Sequence, residues 1–216
     1  MIVEFFGLSN TGKSVMKRKL ESKGHLTGKY EEVSLGRKFG NFLVYFLRHP
    51  GKTGYLFLKL NGHGLGKGLG IGKRFKIWKM RNSYLAGVLG KAEHYSKIKE
   101  EIFVDEFGLQ ALFMILHRKG EEKEVRKLLR ALPLGGKVVV FKGNDRLRKA
   151  AYKKKHPFRP GTLMPGSGID SGFAREWMKI MRYNFKIVER VIGKDFKADG
   201  FGKSIGIKGP KSYRKR

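Results

Sequence analysis

Ile2 to Phe6 (IVEFF) is a nearly continuous apolar run, and a run of that length predicts a short buried strand. Gly7 to Gly12 break the pattern as a loop. Lys13 to Ser22 follow as a basic helix that Gly24 is placed to end. Tyr30 to Leu35 predict a second strand. Arg37 to Arg48 predict a helix with a thick apolar face (Phe39, Phe42, Leu43, Phe46, Leu47), stopped at His49-Pro50. Tyr55 to Leu60 predict a short apolar helical piece. Glycine then fills every second position from Gly62 to Gly72. Such a stretch has high backbone entropy and little to bury, so it reads as a flexible connection whose amides could also close over an anion.

The second half alternates in the same way. Arg74 to Lys91 predict a long basic helix, Glu101 to Asp105 (EIFVD) a strand, and Phe107 to His117 a buried helix. Glu121 to Leu132 form an amphipathic helix with Val125, Leu128, Leu129 and Leu132 on one face, acids at its start and Pro133 behind it. Lys137 to Phe141 (KVVVF) has the composition of a strand buried on both faces. Lys142 to Ser167 read as loop. A helix capped by Asp170 or Ser171 runs to Ile192, with Gly193 at its stop. Strands alternating with helices argue for an α/β fold, a parallel sheet flanked by helices, because parallel strands need such crossovers. The expected organisation is a single domain over 1–202 and a basic, Gly-rich, disordered tail over 203–216.

Charge changes this picture more than size does. The 216 residues hold 48 Lys plus Arg against 18 Asp plus Glu, a formal charge of +30. From Val33 to Ala92 there are twelve cations and no acid; from Arg146 to Ile169 there are seven and none. A field of this sign attracts polyphosphates, nucleic acid or another polyanion; a host rich in Lys and Gly would give the same excess. The longest apolar runs are too short to span a bilayer, so no membrane span is expected. With no cysteine and no leader pattern, the expectation is a cytoplasmic protein.

Candidate chemistry begins at GLSNTGKS, residues Gly7, Leu8, Ser9, Asn10, Thr11, Gly12, Lys13 and Ser14, which fits G-x-x-x-x-G-K-[ST]. Glycines let successive amides turn toward phosphate oxygens, and the helix opening at Lys13 adds the positive end of its dipole. Lys13 would then reach the β- and γ-phosphates, and the Ser14 hydroxyl would ligate Mg²⁺. Gly-Lys-Thr recurs at Gly51 and Gly-Lys-Ser at Gly202, but neither copy has the leading glycine or a strand before it. Downstream, IFVDE ends a strand in two acids. Asp105 is the candidate to hold Mg²⁺, through water, and Glu106 the candidate to orient or deprotonate the attacking group. After KVVVF comes a loop carrying Arg146, Arg148 and Arg159, cations of the kind that close over a transferring phosphoryl group; a solvated basic loop or a nucleic-acid contact is the alternative. The six histidines show no metal-ligand spacing.

With these residues in place, the layout resembles the P-loop nucleoside and nucleotide kinase group, thymidylate kinase-like proteins in particular. The resemblance rests on IVEFFGLSNTGKS, on IFVDEFGLQ and on KVVVF followed by NDRLRKAAYKKK. It implies a three-layer P-loop NTPase fold and a basic lid at about 143–168, with Arg146, Arg148 and Arg159 clamping phosphates. The chain departs where that family has an Asp-Arg pair, since Asp105 is followed by Glu106, and where it has Pro-Gly-Gly, since SLGRKFG stands there. The acceptor-gripping residues are therefore not recognisable. The expected function is an ATP- and Mg²⁺-dependent phosphotransferase, a kinase acting on a small-molecule acceptor. The alternative is a nucleic-acid-associated ATPase, which the adjacent acids and the charge would also suit.

Overall fold

The computed structural model describes residues 1–8, 12–28, 30–62, 71–116, 118–142, 171–195 and 207–208. At its centre lies β1 (Ile2–Gly7), the apolar run that opens the chain. It is flanked by β2 (Ile102–Asp105) on one side and β3 (Lys137–Lys142) on the other, and β4 (Ile207–Lys208) continues the sheet beyond β3. All pairings are parallel, with Phe5 beside Asp105 and Gly7 beside Phe141. Gly7, Asp105 and Lys142 therefore end on one edge of the sheet. The chain leaves β1 toward β2 and then crosses back to β3. The strand order thus reverses beside β1, with β2 on one side and β3 on the other.

The strands are joined by α1 (Lys13–Glu21), α2 (Leu35–Arg48), α3 (Pro50–Gly62), α4 (Ile71–Ser96), α5 (Gly108–Ile115), α6 (Glu122–Ala131) and α7 (Ser171–Asp195). Alternation along β1 sends Val3 and Phe5 to one face, where they meet Val139, Phe141 and the half-buried Met16 and Leu20 of α1. Phe6 points to the other face, where its ring stacks 5.5 Å from Phe113 and 5.0 Å from Phe185. That second face holds the main core: all of α5, with Val125, Leu128 and Leu129 of α6 and Val188 and Val191 of α7. Gly108 opens α5 so close to the α6–β3 connection that a β-carbon there would lie 1.7 Å from the Pro133 carbonyl oxygen. Only glycine fits that approach.

Glu4 stands on the core face of β1, fully buried. Its carboxyl accepts the Leu109 N–H at 2.6 Å and a longer contact from the Gly135 N–H at 3.4 Å, tying β1 to the start of α5. Burial pushes its pKa up to about 8, against the lowering effect of these backbone donors.

The parallel α/β architecture agrees with the sequence pattern, and several boundaries differ. Tyr30 to Leu35 do not form a strand. Tyr30–Glu32 make a single turn of 3-10 helix, and only Thr27 bridges to Phe103 at the sheet edge. The reason is Tyr30, whose buried ring lies against His94 and Tyr95; the segment leaves the sheet to fill the space beside α4. Pro50 stops α2 as expected but also opens α3, since a first helical turn needs no N–H there. α4 is longer than predicted at both ends, and α7 runs through Gly193 to Asp195. Of the predicted tail, Ile207–Lys208 lie beside β3. The alternating glycines at 63–70 and the basic loop at 143–170 lie outside the described residues. Among the described residues no helix is long and apolar enough to cross a membrane.

Candidate functional site

The edge where the strands end carries most of the predicted site. Gly7 closes β1, buried Leu8 follows, and Ser9, Asn10 and Thr11 lie outside the described residues. Gly12 has φ 97°, a left-handed conformation that glycine adopts without a side-chain clash. Its carbonyl already accepts the Met16 N–H at 3.0 Å. Helix α1 thus starts abruptly at Lys13, and the N–H groups of a helix's first turn point out of its N-terminal end. The Lys13 ammonium also folds back, donating to the Gly7 carbonyl at 2.5 Å and the Leu8 carbonyl at 3.0 Å. Ser14 is exposed on the first turn. A helix N-terminus and an ammonium therefore lie together where the chain leaves β1, an arrangement suited chemically to an anion.

Asp105 ends the neighbouring strand on the face covered by α1. Its Oδ1 lies 3.4 Å from the Lys17 ammonium, which also donates to the Gly28 carbonyl at 2.8 Å. Lys17 is one helical turn beyond Ser14, so the two share a face of α1. The carboxylate thus looks toward the helix that bears Ser14, while its direct contact is Lys17. Sequence reasoning missed Lys17, and the available signal was its three-residue spacing from Ser14. Glu106 is exposed and has φ 55°, a left-handed conformation costing about 1 kcal/mol or more in a non-glycine residue. It turns the chain from β2 into α5 within two residues.

Beneath these acids lies a buried polar group. Tyr84 of α4 has its phenol held well above the usual range by burial, with the charges of Glu106, Glu4 and Asp105 adding to the effect. Its hydroxyl has no hydrogen-bond partner among the described residues, and neither has Oε1 of buried Gln110 on α5. Sequence reasoning passed over Glu4, whose signal is an acid inside an apolar strand; Tyr84 gave no signal beyond helical spacing.

The fold brings Gly7, Gly12, Lys13, Ser14, Asp105 and Glu106 to one edge. Arg146, Arg148 and Arg159 lie outside the described residues. The second Gly-Lys-Thr, Gly51 to Thr53, is helical, with Thr53 buried in α3 and no strand before it. For a divalent cation, the Ser14 hydroxyl and the Asp105 carboxylate are hard oxygen donors. No group of three or more acids or histidines is gathered anywhere among the described residues. That donor set fits Mg²⁺, which keeps several waters and takes its other ligands from phosphate, and it does not fit a cation needing an all-protein cage.

No family model, curated protein or solved structure matches the chain. The functional reading rests on geometry and chemistry.

Proposed function

We propose that the chain is a P-loop phosphotransferase that binds Mg·ATP at Gly7 to Ser14 and moves the γ-phosphate to a small-molecule acceptor. The observation that carries the reading is the sequence strand, glycine-rich loop, helix at the central strand of a parallel sheet, with Asp105 ending the adjacent strand. Loop amides and the α1 N-terminus bind the phosphates, and Lys13 exchanges its two carbonyl contacts for phosphate oxygens. Mg²⁺, when bound, neutralises charge on the terminal phosphates. Ser14 and Asp105 hold it, Asp105 through water, once Lys17 gives way. Glu106, exposed beside Asp105, orients the attacking hydroxyl and takes its proton. Arg146, Arg148 and Arg159, outside the described residues, would supply the cations that stabilise the transferring phosphoryl group.

Lys13→Ala tests the donor site. It should weaken Mg·ATP binding, measured by calorimetry, roughly 100-fold or about 3 kcal/mol, with the melting temperature unchanged; unchanged affinity would reject the site. ADP release against nucleosides, nucleotides and sugars tests transfer, and an absence of any stimulating acceptor rejects the kinase assignment. The exposed Glu106 next to Asp105 and the charge of +30 favour a second reading, an ATPase acting with nucleic acid. Its mark is ATP hydrolysis stimulated by RNA or DNA and falling steeply with salt.

A further inference from the structure

Helix α2 is turned the wrong way round for a core helix. Its buried residues are Asn41 and Tyr45. Its apolar stripe, Leu35, Phe39, Leu43, Phe46 and Leu47, recurs at spacings of three and four and points to solvent. Leu35 is 83% exposed, Phe39 66% and Leu47 67%, where an ordinary amphipathic helix would bury the same face. A contiguous apolar surface of this kind marks an interaction site. In the same part of the chain Phe75 and Trp78 of α4 stack with ring centres 5.7 Å apart, and both are exposed.

The charge around the stripe selects the partner. From Val33 to Ala92 the chain has twelve Lys or Arg and no acid; Arg37 and Lys52 are exposed near the two ends of α2, while Arg48 is paired at 3.0 Å with the Glu93 carboxylate of α4. A second copy of the chain would set this basic surface against itself in a two-fold contact. Nucleic acid would satisfy the cations but leave Leu35 and Leu47 in water. An anionic bilayer takes both, with headgroups meeting the cations and the acyl boundary meeting the stripe. We propose that α2 lies in the headgroup plane of an anionic membrane, its stripe inserted and its flanking cations on lipid phosphates. This inference does not depend on the nucleotide site.

The test is sedimentation of the full chain with phosphatidylcholine vesicles, with and without phosphatidylglycerol. The expected result is binding to the anionic vesicles alone. Phe39→Ser with Leu47→Ser should weaken that binding by roughly tenfold or more while the melting temperature holds. Arg37→Gln with Lys52→Gln should weaken it by roughly threefold or more, mainly at low salt. Leu35→Ser, at the most exposed position of the stripe, carries the same test with the least demand on folding. No sedimentation with anionic vesicles, or stripe variants that bind like the parent, would overturn the proposal. So would a dimer that the stripe variants dissociate, or duplex RNA binding that they abolish.

Discussion

The two faces of β1 are held very differently. On one side Val3 and Phe5 lie under α1, a helix with no fully buried residue, anchored by the half-buried Met16 and Leu20. On the other, Phe6 and Glu4 lie under α5, whose eight residues are all buried, with α6 and α7 packed around it. Both layers cover the same strand, so the contrast lies in what each is for. The core face sets the position of the sheet. The thinly covered face carries the helix that begins at Lys13, and an element with few buried contacts opens at low free-energy cost. Under the proposed nucleotide-binding role, α1 is the helix whose Lys13 and Lys17 would rearrange around the ligand.

Substitution can break this contrast. Phe113→Ala should cost about 4 kcal/mol, because it empties the space against which Phe6 stacks, whereas Leu20→Ala beneath α1 should cost about 1 kcal/mol. Equal losses in urea denaturation would show that the faces are alike. The next largest effect concerns Glu4. Its folded pKa of about 8 lies above the ordinary 4.5, so the folded chain holds this proton over a range where the unfolded chain has released it. Stability should therefore be highest below pH 4.5 as far as this group is concerned, and fall by on the order of 5 kcal/mol as pH rises to about 8. Glu4→Gln keeps an acceptor for the Leu109 N–H and should flatten that slope; an unchanged pH profile would mean that Glu4 is ionised in the fold. The smallest effect sharpens the α1 side. Lys17→Met frees Asp105 from its ammonium and should lower the Mg²⁺ concentration needed for half-maximal nucleotide binding by roughly threefold. A higher requirement would place Lys17 among the groups that help the metal.

Most of the architecture was written in periodicity. β1, β2 and β3 are short apolar runs bounded by loops or charges, and α6 shows its buried face directly in Val125, Leu128 and Leu129. The misread segment, Tyr30 to Leu35, has strand-like composition, but the burial of one tyrosine against α4 outweighs propensity. α2 had the pattern of a core helix and its apolar stripe faces solvent, because periodicity reveals that a helix is two-faced without saying which face meets the core. At the candidate site the left-handed Gly12 before α1 and Asp105 at the end of β2 were legible, because glycine before a helix and an acid after an apolar run are local signals. Lys17 and Tyr84 were not, since their proximity to the acids arises from helices packing across the sheet.

The tether between Lys13 and its own loop has a consequence for selectivity. An incoming anion must offer the ammonium more than the Gly7 and Leu8 carbonyls already give it. A singly charged ion gains little from that exchange, while a chain of phosphates gains at several oxygens at once. On the proposed role of this site, the tether would act as a threshold that a monovalent anion does not cross and a ligand dense in charge does.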